Sequence, residues 1–306
     1  LTTIIVTYKT NIEILKNCLK SINPKVKIII VENSKNFKHS EEIQSNFSNV
    51  EIVCSGSNLG MGSGNNFGLK KVKTKYALVL NPDTICENSF FSNINKYLSD
   101  QIDFTLIGCV YNKKTNFNSA GFFDNRDIKL AKFIKELNLY EVDWIVGHTI
   151  LINMKKFKEQ IFFDENFFLF FEETDLCMKV KKRNEKVYMC PDLKLDHLGW
   201  QGSFATDNNL EEESDRLRNW HYMWSFFYYH KKNYGYMYAF TRSFSRLLRS
   251  IVRIIFYLIT LFINQLFFNL TNAYAKLSGY RESTPKEMYH GDPYGGLLSG
   301  LKYALY

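Results

Sequence analysis

The chain has no CxxC pair and no Cys/His spacing of the kind that closes around zinc. Its six cysteines (18, 54, 86, 109, 177 and 190) are scattered singly through 306 residues, which signals neither a metal scaffold nor a disulfide framework and fits a reducing compartment. No internal repeat is visible. The glycine-rich stretch 55–68 completes no standard phosphate-binding pattern: Gly60 and Gly62 open a GxGxxG whose third glycine is replaced by Asn65, and no GxxxxGK[ST] occurs. Read alone, it is as readily a flexible turn before a helix. Leu1 leads directly into a strand-like run, without a basic n-region, apolar h-region and cleavage site, so a cytoplasmic protein is expected. No signature of a nucleic-acid-binding domain accompanies the basic charge, and a nucleic-acid partner is not expected.

What is present is substantial. The length suits one large α/β domain with an appendage, or two modest domains. Apolar residues make up 45% and aromatics 16%, with 26 Phe and 19 Tyr gathered toward the C-terminus, which excludes disorder and points to greasy surfaces. A net charge of +8 favours an anionic partner such as a nucleotide or an acidic lipid.

Hydrophobic periodicity predicts an alternation of strands and helices. A β-branched run ends at Thr7, Ile12, Leu15, Leu19 and Ile22 share one helical face, and residues 27–31 form a second buried-type strand. A helix at 39–47, a strand at 50–53, a helix at 63–73 and a strand at 76–80 follow. This βαβ pattern implies a parallel sheet, whose ligands bind beyond the carboxyl ends of its strands, where Tyr8, Asn33 and Asp83 stand. Further on, strands are expected at 104–110 and 144–152, a basic helix at 176–184, a strand at 187–190, and a loop starting at Asp196 and His197. Past about residue 205 long helices take over, giving an expected division into 1–205 and 206–306.

Two acidic clusters carry chemistry. Asn81, Pro82, Asp83 and Thr84 close the apolar run 76–80, and Glu172, Glu173, Thr174 and Asp175 follow the apolar run 167–171. A carboxylate at the mouth of an apolar segment is costly to desolvate unless it meets a cation, a metal or a substrate proton, although Asp and Glu also serve as turn and cap residues.

In order along residues 2–202 stand Ile5-Val6-Thr7-Tyr8, Val31-Glu32-Asn33-Ser34, Asn58-Leu59-Gly60 with the run from Gly64 to Leu69, Leu80 to Thr84, Asp143 to Gly147, Phe163-Asp164-Glu165, Phe168 to Leu176, and His197. This series resembles the family 2 glycosyltransferases, in particular their rhamnosyltransferase-type branch. The resemblance implies a GT-A fold, inverting transfer from a nucleotide-sugar, and a divalent cation, Mg²⁺ or Mn²⁺. On it, Thr7 and Tyr8 line the nucleoside pocket, Asn33 contacts the pyrimidine edge, and Glu32, usually Asp in the family, lies beside them. Asn58, Gly60, Asn66 and Asn81 join the donor site. Asp83 matches the last carboxylate of the DXD motif, without a partner carboxylate, and His197 matches a histidine that completes the metal shell in some relatives.

By the same resemblance Glu173 is the general base, one methylene longer than the usual Asp, and Glu172 orients the acceptor. Asp175 is an acceptor contact or a first-turn helix acid. Gly147 permits close approach of the donor sugar or marks a bulge, Asp143 is an acceptor contact or equally a structural strand-end acid, and Trp144 contacts the acceptor or belongs to the core. His148 replaces a smaller residue.

In the C-terminal third, Arg242, Arg246, Arg249 and Arg253 are spaced 4, 3 and 4 and stack on one helix face. They lead into the apolar stretch 254–270, which at 17 residues reaches only the lower limit for a membrane span and favours a shallow, in-plane helix. An anionic membrane surface is the expected partner, with burial of the apolar faces on the catalytic domain or in a homodimer as the alternative. The expected protein is thus a peripheral enzyme on the inner face of the cell membrane. It moves L-rhamnose from dTDP-rhamnose onto a polyprenyl-diphosphate-linked or oligosaccharide acceptor. The alternatives are transfer of another sugar, such as galactofuranose, from a UDP donor, and a catalytically silent nucleotide-sugar or membrane-surface binding protein.

Overall fold

The computed structural model describes residues 1–99, 102–111, 119–157, 159, 162–199 and 208–277. Strands and helices alternate first as β1 (Thr2–Thr7), α1 (Ile12–Lys20), β2 (Lys27–Glu32), α2 (Ser40–Asn46), β3 (Val50–Cys54), α3 (Met61–Leu69) and β4 (Tyr76–Leu80). There follow β5 (Thr84–Cys86), α4 (Phe90–Ile94), β6 (Leu106–Tyr111), β7 (Ala120–Gly121), β8 (Lys132–Ile134), β9 (Leu139–Val142), β10 (Trp144–Ile145) and β11 (Thr149–Asn153). The described chain continues with α5 (Glu172–Lys182), β12 (Val187–His197), α6 (Asn208–Tyr234) and α7 (Tyr236–Leu277).

The main sheet runs β3-β2-β1-β4-β11-β6-β12-β9-β8, with β5 added beside β12. Strands β3, β2, β1 and β4 are mutually parallel, whereas β11 enters antiparallel to both β4 and β6. Every residue of β1 and β4 is buried, as expected for parallel strands covered on both faces. The period-2 geometry of a strand then sorts neighbours into two cores. Ile5, Ile28, Ile30 and Leu78 pack with Leu15 and Leu19 of α1, while Ile4, Val6, Ile29, Val31 and Val79 pack with Leu69 of α3 and Leu176 of α5.

Local chemistry explains the helix starts. The Asn11 side chain accepts from the N–H groups of Glu13 and Ile14 and so caps α1. In contrast, α3 has three glycines in nine residues and is weak by propensity; it persists because six of those residues are buried, Gly64 and Gly68 against the sheet and Gly62 and Asn66 against the segment leading to α5.

Three segments differ from the sequence expectation. The strand expected at 144–152 is two strands. β10 pairs with β7 in a separate ribbon, and the chain crosses to the main sheet at Gly147. The helix expected from 176 starts at Glu172, so the second acidic cluster forms its first turn. β12 continues past Cys190 to His197 because it shifts register and pairs with β5; Asp196 and His197 end a strand instead of starting a loop.

The chain divides into two compact units, Leu1–Phe226 and Phe227–Tyr306, and the division falls inside α6. In the second unit α7 runs unbroken for 42 residues, about 63 Å at 1.5 Å per residue. Its Tyr236–Thr271 portion is long and apolar enough to cross a membrane by length and composition; its apolar 18-residue window has a mean hydropathy of 2.0 and no buried residue. The sequence count began at Ile254; the aromatic residues ahead of the arginines belong to the same helix, so length does not restrict it to an in-plane position.

Candidate active site

Strands β1, β2 and β4 end side by side, which brings together Thr7, Glu32, Asn33 and Asn81. Thr7 Oγ1 donates to Glu32 Oε2 at 2.7 Å, and both residues are buried. Tyr8 follows Thr7, partly exposed, with the Lys9 ammonium 5.5 Å from its ring.

Asn33 is occupied by the protein itself. Its amide NH₂ donates to Asn58 Oδ1 and Gly60 O at 3.1 and 2.9 Å, and its Oδ1 accepts from Leu59 N–H and Ser55 Oγ at 3.1 and 3.0 Å. These contacts fasten the 55–60 loop to Asn33; the Ser55 hydroxyl, with a single proton, also faces Ser57 O at 2.7 Å. Asn58 Oδ1 also accepts from Gly60 N–H at 3.1 Å. Asn66 is engaged similarly. It exchanges hydrogen bonds with the Phe163 backbone at 2.9 and 3.0 Å and donates to Glu165 at 3.2 Å, tying α3 to the segment before α5.

The first acidic cluster gains its partner from β12. Pairing of β12 with β5 sets His197 opposite Thr84, and His197 Nε2 then lies 3.2 Å from Asp83 Oδ1, whose residue is 3% exposed. The Asn81 N–H donates to His148 O at 2.9 Å, and the buried His148 ring sits 5.3 Å from that of His197. Burial, aided by the nearby His197, pushes the His148 imidazole down to about 4 and keeps it neutral at pH 7. A carboxylate oxygen and an imidazole nitrogen this close can face one divalent cation. Among the described residues no group of three His, Cys, Asp or Glu could hold a metal, so oxygens from a bound substrate would have to complete the shell.

The second cluster lies at the start of α5. Glu172 is 8% exposed and its Oε2 is buried without a hydrogen-bond partner among the described residues. Burial, and then the charge of Glu173, push its carboxyl well above the usual range; burial also raises Glu173. A Cβ on Gly147 would stand 3.1–3.2 Å from Glu173 Cγ, Cβ and Cδ, so the room that this glycine leaves is filled by Glu173 itself. Gly60 has a similar reason. At φ +82° it lies where a Cβ would meet Phe168 O at 2.2 Å, so glycine at this position admits the loop ahead of α5.

The two clusters meet at consecutive residues, Gly147 against Glu173 and His148 against His197. The profile of glycosyl transferase family 2 matches residues 2–172. The chain belongs to that family. It is 26% identical over 208 residues to the low-salt glycan biosynthesis hexosyltransferase Agl10 of Haloferax volcanii, covering 62% of this chain and 64% of that protein. It is 25% identical over 226 residues to the rhamnosyltransferase WbbL of Escherichia coli K12, covering 67% and 82%. Among solved structures, the mannosyltransferase PcManGT of Pyrobaculum calidifontis, in complex with GDP-Man and Mn²⁺, aligns at TM-score 0.54 and 12% identity over 100% of this chain and 80% of that one. The family 2 chain has the GT-A fold, with its mostly parallel core sheet flanked by helices.

Three residues expected near the acceptor have internal partners in this family 2 domain. Asp143 Oδ2 accepts from Phe123 N–H at 3.1 Å and pairs with Lys181 of α5. Trp144 lies on Gly121, whose added Cβ would meet its ring at 2.7 Å. Asp175 is buried in the first turn of α5. Lys181 and the α6 residues that touch the loop ahead of Glu172 were not identified as site residues in the sequence. A lysine on a basic helix and aromatic residues in a long helix give no local sign of their partners.

Proposed function

We propose that the protein is an inverting glycosyltransferase that moves one sugar from a nucleotide-sugar to an acceptor hydroxyl. The observation that carries this reading is the joining of the two acidic clusters through Gly147 and His148, one side offering Asp83 and His197 and the other Glu173. In this reading the donor lies across the ends of β1, β2 and β4, with Thr7, Tyr8 and Glu32 at the nucleoside. Asn33, Asn58, Gly60 and Asn66 act by holding that pocket's loops.

Asp83 and His197 would hold Mg²⁺ or Mn²⁺, which when bound neutralises charge on the departing diphosphate. Glu173 takes the proton of the acceptor hydroxyl as its oxygen bonds to the anomeric carbon. The bond from that carbon to the diphosphate oxygen breaks on the opposite face, and the nucleoside diphosphate leaves. The raised Glu173 carboxyl suits it to receive a proton near neutral pH. Glu172, with its partnerless buried oxygen, orients the acceptor hydroxyl.

The donor we propose is dTDP-L-rhamnose, a reading supported by the likeness to the rhamnosyltransferase WbbL. The acceptor is a lipid-linked or nascent surface glycan. Exposed Leu217, Trp220 and Trp224 on α6 and the exposed apolar length of α7 support work at a membrane surface, with Arg242, Arg246, Arg249 and Arg253 at the anionic headgroups. The six free cysteines, five of them buried, support the cytoplasmic face.

The test is incubation with a panel of nucleotide-sugars and a polyprenyl-diphosphate-linked acceptor, with and without chelator, following nucleoside diphosphate release and product. Metal-dependent transfer from dTDP-rhamnose is expected. Silence across the panel would defeat the reading, and transfer from a UDP-sugar alone would change the donor.

A further inference from the structure

The segment that delivers Glu173 is strained. Phe170 and Phe171 both have left-handed backbones, at φ +68° and +66°, and neither is a glycine. Left-handed conformations are unfavourable for bulky residues, and two in succession persist only where the surroundings hold them. Helix α5 contributes one backbone hydrogen bond, from Asp175 N–H to Phe171 O at 2.8 Å, and Phe171 at its N-cap position has no side-chain cap hydrogen bond.

The hold comes from two helices within the first compact unit. From α3, the Met61 N–H donates to Phe168 O at 2.8 Å. From α6, His221 stacks on Phe168 with ring centroids 4.4 Å apart and 19° between the planes. The buried Ser225 hydroxyl donates to Leu169 O at 2.8 Å. Tyr222 lies 5.7 and 5.6 Å from the rings of Phe170 and Phe171, and Phe226 lies 5.9 Å from Phe171. Positions 221, 222, 225 and 226 share one helical face, and they meet four consecutive residues that end one position before Glu172.

We propose that this face of α6 is a positioning element of the transfer reaction. It holds the paired left-handed turn so that the first turn of α5 begins at Glu172 and Glu173 is set against Gly147. His221 and Ser225 act through the backbone of the loop and do not touch substrate. The inference rests on the role proposed above for Glu173 and adds a requirement to it: the transferase needs the 221–226 stretch of α6, beyond the family-matched residues 2–172, to aim its base.

The test uses the full chain with His221→Ala, Ser225→Ala and the stacking-conserving His221→Phe, read by hydrogen exchange and by steady-state kinetics. In the two alanine variants, amide exchange over residues 168–175 should speed up by about tenfold or more while β1–β4 stay protected. In the same variants kcat should fall by about tenfold or more with the nucleotide-sugar KM within about twofold, and His221→Phe should recover both readouts. Wild-type exchange over 168–175 in both alanine variants would overturn the hold. A kcat loss matched by a rise in donor KM and left unrepaired by His221→Phe would overturn the positioning role. If the wild-type chain transfers no sugar, the functional reading and its positioning claim fail together, while the exchange result still decides whether α6 holds the turn.

Discussion

His197 Nε2 lies 3.2 Å from Asp83 Oδ1, a meeting produced by the pairing of β12 with β5. The carboxylate is almost fully buried at a strand end, where an unpartnered charge would be costly. In the reading proposed above, both groups hold the divalent cation. Asp83→Ala should abolish measurable Mn²⁺ binding in the presence of nucleoside diphosphate. His197→Ala should weaken it by about 10–100-fold, the range seen when support of a metal site is lost. Electron paramagnetic resonance of free Mn²⁺ measures both, and unchanged affinity in both variants would remove the metal assignment.

The base assignment predicts a second outcome. Glu173→Gln should lower kcat by about 10²–10⁴-fold with little change in donor KM. Because burial raises the Glu173 carboxyl, wild-type kcat/KM should fall as pH drops through a value above about 4.3, the ordinary glutamate range, and rise above it as the base deprotonates. An acid limb at or below that range would count against Glu173.

Gly147→Ala places a methyl 3.1–3.2 Å from three carbons of Glu173. The side chain must shift or the backbone must give, at about 1–3 kcal/mol for overpacking. The expected result is a folded protein with a cooperative thermal transition and a reduced kcat, read by calorimetry beside the kinetic assay.

Glu172 offers a stability test. Its folded pKa is raised, so above the ordinary glutamate range the native state holds a proton that the unfolded state has released, and stability falls as pH rises. Glu172→Met removes the buried carboxyl with its partnerless oxygen. It should raise Tm near pH 7–8 by about 2–4 °C for each kcal/mol gained, with a smaller gain near pH 5, while transfer drops. An equal Tm change at both pH values would contradict the protonation argument.

Replacing Arg242, Arg246, Arg249 and Arg253 together by alanine should weaken sedimentation with anionic vesicles by about 10²–10³-fold, at about 1 kcal/mol per basic residue near the surface. Neutral vesicles should show little difference. Binding to anionic vesicles that is unaffected by the four substitutions would exclude the headgroup role.

Much of the fold can be read locally. The β-branched runs of β1, β2 and β4, the Asn11 cap and the break at Pro24 all act within a few residues, and their periodicity specifies βαβ order before any long-range contact forms. The acidic clusters are legible for the same reason, as polar endings of apolar runs. Their partners are not. Asn33 and Asn66 read as binding residues, and nothing beside them in the chain announces that the 55–60 loop and residues 163–165 engage their amides. Asp143 reads as an acceptor contact or a structural acid, and its pairing with Lys181 and Phe123 lies beyond any local pattern.

The sequence by itself determined the order of strands and helices, the two carboxylate positions and the apolar, arginine-striped tail, because each depends on spacing within one element. Tertiary structure alone decided that Asp83 meets His197, that Glu173 fills the room beside Gly147, and that α6 grips the turn ahead of Glu172. Those meetings depend on strand register, on the crossing at Gly147 and on helix placement. These are set by packing over the whole domain, and no local pattern encodes them.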